Sequence, residues 1–534
     1  MMNYSFDTVI EKEVLENYLS RAVTAAGLYE SETLTDDLRV IARLGVKFLG
    51  RASGVWYMPA DDEAHFAQSA ALARRVHAQD PEVILQACVF EIVTRGMEEI
   101  SIPAYVFEAF GQPVTDRCFC LADALFPERP AGYRHESDEK RKDGGIPDLN
   151  RLEARMWFYY RATRYIDCGY EALHMGQVHL YTANDWGFEK TQELFQMMRD
   201  YARTHARRHK LLLDAHTHGI NVYGKLLFDY HAMPFTRVPL LEEEGEKLVL
   251  IREGYSEGGE NPNGWCANEM PFLMEYDNWG GLSVPDRGAL SRAELAWKDW
   301  WGYDQIAWFA NQDPGARDHF LEYSYYWTEI NNPNAYFQVP FRRMLSDGAV
   351  TMWDPFTGAP HKQETYQINR SGPDCVYGFN QEEMVEKLWD LGHVIRERFA
   401  NPPELIQYGA QAVYNPHTGV KLPEMVVVYG SFQPYVGAVA NHSSSAETRM
   451  YYRGGGMYRL SVVMPYKGDY DYAISTYGTL SAVYTHDRFP RSGSGPKASF
   501  RVPQDNSIVT FSFRFAPPEA SVTVTAPGDL SSEP

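Results

Sequence analysis

Residues 46–93 read VKFLGRASGVWYMPADDEAHFAQSAALARRVHAQDPEVILQACVFEIV and contain one complete β–α–β unit. The run VKFLGRA (46–52) is short and apolar like a buried strand, and EVILQACVFEIV (82–93) is the clearest strand of the first half. Between the two strands, apolar residues recur at helical spacing, at Phe66, Ala70, Ala73 and Val76. This order of elements predicts a parallel sheet whose faces are covered by helices.

The same alternation continues on both sides of this unit. Six further strands are expected, at AVTAAGLYES (22–31), EALHMGQVHLY (171–181), KLLLDAHTHG (210–219), PFLMEYDNWGG (271–281), QIAWFAN (305–311) and AYFQVPFRR (335–343). Eight strands with helices between most of them close into a (β/α)₈ barrel. An open doubly wound sheet is the main alternative, but neither GxGxxG nor GxxxxGK[ST] follows any strand. We therefore expect a TIM barrel over residues 1–400, with an insertion at about residues 97–150.

The character of the sequence changes near NPPEL (401–405), where helical periodicity stops. In IVTFSFRF (508–515), apolar residues alternate with Thr510, Ser512 and Arg514, and SVTVTA (521–526) shows the same period of two. Such alternation is typical of half-buried strands. MYYRGGGMYRLSVVM (450–464) indicates a hairpin with a glycine-rich turn. We expect a β-sandwich domain over residues 401–534.

Composition and charge exclude several classes of protein. The 534 residues include 50 Lys+Arg and 71 Asp+Glu, which gives a net charge of −21 and argues against a nucleic-acid or anionic-membrane partner. No apolar run approaches the roughly 18 residues of a membrane span, and acids stand where a signal peptide would be basic and then apolar. We expect a soluble cytoplasmic protein, or a secreted one if a leader has been removed. The six cysteines form no CxxC pair, which favours unlinked thiols.

Three predicted strands carry an acid near their ends: Glu91 in CVFEIVT, Asp214 in LLLDAHTHG and Glu275 in PFLMEYDNWGG. A charged side chain inside an apolar strand is costly unless it reaches the polar mouth of the barrel. Carboxyl groups that converge there from separate strands form a suitable acid/base pair, because their environments can raise one pKa and leave the other group ionised.

This arrangement resembles the (β/α)₈-barrel glycoside hydrolases, with VFEIVT and LMEYDNWG as the runs that carry the likeness. The resemblance implies a carbohydrate substrate cleaved by two carboxyl groups, with no cofactor and no metal. It implies Glu275 as the general acid, Asp214 as the nucleophile or base, and Glu91 as a substitute partner. Candidates for binding the sugar are Asp277, Trp279, His216, Gln177, His174, Arg51 and Asn278.

The sequence departs from the best-known clan of these enzymes, which has an Asn-Glu pair ending strand four and a Glu ending strand seven. By the strand count above, the corresponding runs are GQVHLYTAND (176–185) and QIAWFAN (305–311), and neither contains a glutamate. On this count, the catalytic pair would have to lie on other strands.

Two other functions remain open. DAHTHG (214–219) resembles the metal-binding start of the amidohydrolase barrels, where two histidines on one strand face hold a divalent ion that activates water. His231 is a candidate third ligand, although the motif falls on the fifth predicted strand and not on the first. A non-catalytic carbohydrate-binding protein would explain both the 14% aromatic content and the missing clan motif.

Overall fold

A computed structural model of the chain describes residues 2–126, 144–277, 305–399 and 426–526. Within these ranges it leaves out residues 57, 60, 218, 235, 243–244, 252–255, 268, 332–333, 346–349, 437–447, 449, 453–456, 477–482, 487–496 and 515–517. Asn278, Trp279 and the helix expected at RAELAWKDWW (292–301) therefore lie outside the described residues.

Eight parallel strands form the barrel. They are β1 Ala22–Ala25, β2 Phe48–Ser53, β3 Ile84–Cys88, β4 Ala172–His174, β5 Leu212–Asp214, β6 His231–Pro234, β7 Phe272–Glu275 and β8 Ala335–Met344. The strands β1, β2, β3 and β4 each pair with the strand that follows. In the second half β6 pairs with β7, β7 pairs with β8, and β8 pairs with β1. A single parallel bridge between His216 and Ala232 spans the step from β5 to β6. The fold is thus the expected TIM barrel, with a nearly continuous ring of strands.

Helices cover most of the barrel, at α1 Lys12–Leu19, α2 Leu34–Leu44, α3 Asp62–Gln79, α4 Leu152–Asp167, α5 Glu189–His205, α6 Pro314–Asn331 and α7 Glu382–Phe399. In α3 the Asp61 side chain caps the first turn by accepting the Ala64 N–H at 2.9 Å. Phe66, Ala73 and Val76 are buried, as their helical spacing predicts. None of the described helices is long and apolar enough to cross a lipid bilayer.

The segment between β6 and β7 contains short strands where a barrel helix would stand. They are Thr236–Glu242, Gly245–Ile251, Gly259–Glu260 and Cys266–Ala267, and the last two belong to a small sheet with Asn221–Val222 and Lys225–Leu226. After β8, a hairpin of Val350–Trp353 and Pro360–Gln363 precedes Thr365–Gln367, which pairs antiparallel with β8. Residues 97–150 contain the short helices Ala104–Ala109 and Leu121–Ala124, and their status as an insertion remains a prediction.

Two strand assignments from the sequence are wrong. QIAWFAN contains a helix, Gln305–Ala310, in which Ile306 and Phe309 are buried one turn apart. A short apolar run has the same composition in a buried helix and in a buried strand, so its periodicity does not separate them. The true sixth strand is β6, which has only four residues. In EALHMGQVHLY only Ala172–His174 is extended, and Val178–Tyr181 is helical. Because β6 precedes it in the barrel, the strand that ends in Glu275 is the seventh and not the sixth.

The C-terminal part contains two antiparallel sheets, as the alternating pattern predicts. One holds β9 Val426–Tyr429, β12 Gly468–Thr476, β13 Val483–Tyr484 and β14 Ala498–Val502; the other holds β10 Tyr451–Tyr452, β11 Met457–Met464, β15 Ser507–Arg514 and β16 Glu519–Thr525. Phe511 of β15 packs between the sheets against Tyr472 of β12, with ring centroids 5.3 Å apart. The domain boundary expected at residues 401–405 lies outside the described residues and stays a prediction.

One buried acid in the β6–β7 segment generates a prediction about stability. Glu257 is buried, and its Oε1 has no hydrogen-bond partner among the described residues. Burial raises its pKa well above the ordinary value. The folded protein therefore holds this proton more tightly than the unfolded chain, so the stability that Glu257 contributes at low pH is lost as the pH rises through the raised pKa.

We expect Glu257→Gln to raise the midpoint of thermal unfolding at pH 8 more than at pH 5, since glutamine stays neutral at both values. Glu108→Gln, which replaces an exposed acid on the helix Ala104–Ala109, is the matched control and should change neither midpoint. Equal shifts of the two variants at both pH values would contradict the argument.

Candidate active site

Glu275 lies at the mouth end of β7 and is almost completely buried. Its Oε1 contacts the Arg51 guanidinium and lies 2.9 Å from His216 Nε2. Its Oε2 accepts hydrogen bonds from Arg343 at 3.2 Å and from Thr24 Oγ1 at 3.3 Å. Burial alone would raise the pKa of Glu275, but the Arg51 charge and the His216 hydrogen bond lower it below its ordinary value. Glu275 is therefore ionised at neutral pH.

Asp277 follows on the same side of the chain and shares the two arginines. Its Oδ1 accepts a hydrogen bond from Arg343 Nη2 at 2.6 Å and lies 3.3 Å from Arg51 Nη1. Its Oδ2 lies 3.8 Å from His216 Nε2. Burial again opposes ionisation, and the two guanidinium groups overcome it, so the pKa of Asp277 falls far below its ordinary value. Two carboxylates and two guanidiniums thus form one buried set of paired charges.

The backbone of β2 is distorted where it delivers Arg51 to this cluster. Arg51 has a φ of +56°, and the register of β2 against β3 shifts between Leu49 and Ser53. A left-handed backbone is costly for a residue with a side chain, so it persists only where its surroundings hold it. Here the Arg51 N–H donates to Gln86 Oε1 at 3.0 Å, and the guanidinium is fixed by both carboxylates.

Arg343, near the end of β8, is a site residue that the sequence analysis missed. Thr24 of β1 pairs with Pro340 of β8, but Ala25 pairs with Arg342, so β8 holds one extra residue at this point. An extra residue in a strand reverses the side to which the following side chains point. Strict alternation therefore misplaces Arg343, and the only signal in the sequence is a charge at the end of an apolar run.

A second cluster surrounds Asp214 at the end of β5. Its Oδ1 accepts hydrogen bonds from Gln86 Nε2 at 2.6 Å and from the Tyr230 hydroxyl at 3.1 Å, and its Oδ2 lies 2.9 Å from His174 Nδ1. The His174 ring meets His216 edge-to-face, with centroids 4.7 Å apart, so the two clusters adjoin. Gln86 and Tyr230 were also missed, although a glutamine inside the apolar run VILQAC is a readable signal.

Glu91 lies beyond the end of β3, in the loop that follows it, and is buried. Its Oε2 accepts the backbone N–H of Gln177 at 3.2 Å. Gly176 makes this approach possible, since a Cβ there would lie 2.2 Å from Oε2. Burial raises the pKa of Glu91 and the charge of Asp277 adds to the effect, against weaker opposing interactions with backbone N–H groups and His216. Glu91 therefore retains its proton more strongly than an ordinary glutamate.

The structure brings most of the predicted site residues to one end of the barrel. Arg51, His216, Glu275 and Asp277 form the charged cluster, His174 and Asp214 adjoin it, and Glu91 is held at the backbone of Gln177. Gln177 contributes its backbone N–H, and its side chain is half-buried.

A metal ion bound at DAHTHG would compete with the cationic side chains that contact the neighbouring carboxylates. Donor atoms of His216, Glu275 and Asp277 lie within 4.8 Å of one another, a spacing that a divalent ion tolerates. However, Arg51 and Arg343 contact both Glu275 oxygens and Asp277 Oδ1, and their two positive charges balance the two carboxylates. Asp214 contacts His174, and His231, the candidate third ligand, lies 2.6 Å from Ser256 Oγ. His218 lies outside the described residues.

Comparisons with known proteins return glycoside hydrolases of low sequence identity. The α-galactosidase TtGalA from Thermus thermophilus is 13% identical with a TM-score of 0.23, and the match covers 38% of this chain but only 44% of that enzyme. The debranching enzyme of Nostoc punctiforme is 9% identical, with 82% and 81% of the two chains covered and a TM-score of 0.31. The GH27 β-L-arabinopyranosidase of Geobacillus stearothermophilus is 9% identical, with 97% and 99% covered and a TM-score of 0.29.

No protein family and no curated protein matches the chain. The fold assignment depends on the strand pairing described above, and the chemistry depends on the site itself.

We expect the protein not to bind divalent metal ions at this cluster, because an incoming cation would have to displace two buried guanidinium groups from their carboxylates. Zinc or manganese in excess should leave the midpoint of thermal unfolding unchanged, and so should EDTA, since a ligand stabilises only if it binds the folded state. Stoichiometric metal in protein purified without added metal, or a midpoint that rises with metal concentration, would show that this argument is wrong.

Proposed function

We propose that the protein is a glycoside hydrolase in which Glu91 is the general acid and Glu275 is the ionised nucleophile or base. The observation that supports this proposal is a pair of buried carboxyl groups in one barrel mouth whose pKa values are displaced in opposite directions. Cleavage of a glycosidic bond needs one carboxylic acid to protonate the leaving oxygen and one carboxylate to attack the sugar or activate water. Opposite displacements prepare the two groups for these two tasks.

These proposed roles differ from the expectation drawn from the sequence, in which Glu275 is the general acid and Asp214 the nucleophile or base. Glu275 does not suit the general acid, because the Arg51 charge and the His216 hydrogen bond keep it ionised. Asp214 contacts Gln86, Tyr230 and His174 and lies outside the set of paired charges around Glu275. Asp214 is better suited to orient its neighbours.

Between the two ionised carboxylates, Glu275 is the stronger candidate for attack. The pKa of Asp277 is driven far down by two arginines, which makes that carboxylate a very weak base and nucleophile. We assign Asp277 to holding Arg51 and Arg343 in place. Asn278 and Trp279 follow it directly in the chain and remain candidates for contacts with the sugar.

Leaving-group dependence separates the two catalytic roles. The wild type is screened against aryl glycosides and oligosaccharides, and the variants are then assayed on substrates with poor and good leaving groups. We expect Glu91→Gln to lose about 10²- to 10⁴-fold in kcat/KM with a poor leaving group and far less with 2,4-dinitrophenolate, which departs without protonation. Glu275→Gln should lose activity with both substrates.

Thermal unfolding of each variant checks that the fold survives, and Glu108→Gln is the surface control. A Glu91→Gln variant that loses the same factor with both leaving groups would exclude Glu91 as the acid. Equal activity of Glu275→Gln and the wild type would exclude Glu275. Saccharide binding without turnover of any substrate would favour the non-catalytic binding protein.

The pH profile gives a second test of Glu91. The acid must carry its proton, so the activity of the wild type should fall as the pH rises through the raised pKa of Glu91. In the wild type this alkaline loss should appear with a poor leaving group and be weak with the 2,4-dinitrophenyl substrate, and in Glu91→Gln it should be absent with both. An unchanged alkaline limb in the variant would assign that limb to another group.

A further inference from the structure

His174 has one ring nitrogen that the described residues leave without a partner. The residue ends β4, its register partner Asp214 ends β5, and both side chains are buried. The contact at 2.9 Å joins His174 Nδ1 to Asp214 Oδ2. His174 Nε2 is buried and makes no hydrogen bond to any described residue. Buried polar atoms almost always have a partner, so this atom requires an explanation.

The surroundings of Asp214 determine which nitrogen carries the proton. Asp214 Oδ1 already accepts from Gln86 at 2.6 Å and from Tyr230 at 3.1 Å. A carboxylate held in this way accepts the Nδ1–H of the imidazole and so selects one tautomer. In that tautomer Nε2 carries a lone pair and accepts a hydrogen bond but does not donate one.

The charges near His174 leave the imidazole neutral. Burial lowers its pKa most strongly, and Arg51 and His216 lower it further, whereas Asp214 raises it. Cys88 of β3 is the register neighbour of His174 on the other side, and burial raises the pKa of that thiol, so it adds no charge. His174 Nε2 is therefore a hydrogen-bond acceptor on a neutral ring, beside the charged cluster at the carboxyl end of β4.

We propose that His174 Nε2 accepts a hydrogen bond from a hydroxyl group of a bound saccharide, and that Asp214 is the positioning residue that fixes the required tautomer. A polyhydroxy ligand supplies O–H donors, and a ligand that offers only acceptors would meet a lone pair here. The identity of the ligand as a saccharide rests on the proposed function; the tautomer does not.

The tautomer is measured first, in the full chain labelled with ¹⁵N-histidine. We expect the His174 signals, identified by their loss in His174→Gln, to show Nδ1 protonated and Nε2 bare at pH 7. Asp214→Asn removes the carboxylate and should shift the population towards the Nε2–H form. A wild-type Nε2 that is protonated at pH 7 would overturn the proposal, whether or not the protein hydrolyses glycosides.

Binding is measured next, on the aryl glycoside that the wild type cleaves fastest. His174→Leu should raise KM by about tenfold to a hundredfold and leave kcat within about threefold, since a lost substrate hydrogen bond to a buried acceptor weakens ground-state binding. His174→Gln offers an amide oxygen in place of Nε2 and should recover most of the affinity. His205→Leu, on the exposed end of α5, is the matched control and should change neither constant.

A substrate analogue that lacks the contacted hydroxyl identifies the donor. One deoxy analogue should bind the wild type as weakly as His174→Leu binds the parent substrate and should be insensitive to His174→Leu. A loss confined to kcat in His174→Leu, or the absence of any such analogue, would overturn the proposed contact.

If no glycoside is cleaved, the proposed function fails and His174 is still tested. Glucose, galactose and mannose are then titrated into the labelled protein, and a saccharide that binds must move the Nε2 signal. A bare Nε2 that none of the three sugars moves would overturn the inference on its own.

Discussion

The mouth of the barrel depends on one buried set of paired charges, in which Arg51 and Arg343 share Glu275 and Asp277. A lone charge is costly to remove from water, so each member of this set is tolerable only while its partners are present. The partners come from β2, β7 and β8, and Arg51 is 224 positions away from Glu275 along the chain. Closure of the barrel and assembly of the site are therefore coupled. A variant that removes one charge leaves the remaining buried charges without a full set of partners.

Mutual neutralisation of this set divides the mouth into two electrostatic environments. Glu275 is buried among cations and its pKa is lowered, whereas desolvation dominates at Glu91, whose pKa is raised, and at His174, whose pKa is lowered. The same depth of burial is thus compatible with a lowered pKa at Glu275 and a raised pKa at Glu91. Burial is similar for both glutamates, so the opposite directions of their pKa shifts follow from the charged side chains that contact Glu275.

The periodicity of apolar residues was sufficient to predict most of the helices and strands of the barrel. It was insufficient to predict the shortest elements and the strand register. Long amphipathic helices such as α3 and apolar strands such as β3 have distinct periods, and both are found where expected. The four residues of β6 are too few to show any period, and the helix at Gln305–Ala310 has the composition of a strand. Arg343 follows a register shift, which depends on pairing with a distant strand and leaves no local trace. The directions of the pKa shifts could not be predicted from the sequence, because they depend on charged and hydrogen-bonding side chains that only the fold brings into contact.

Recognition of β6 also changes how the site relates to the clan from which the sequence departs. With β6 counted, Glu275 ends strand seven, where that clan carries a glutamate, but β4 ends in His174. Under the proposed roles, a carboxyl group reaches the end of strand four from a neighbouring segment, because Glu91 extends from the loop after β3 and accepts the backbone N–H of Gln177, three residues beyond β4. Gly176 is what permits this, since any side chain there would occupy the place of the Glu91 carboxyl group. Under the proposed roles, an acid above strand four and a carboxylate on strand seven are therefore combined in a sequence without the Asn-Glu pair at strand four.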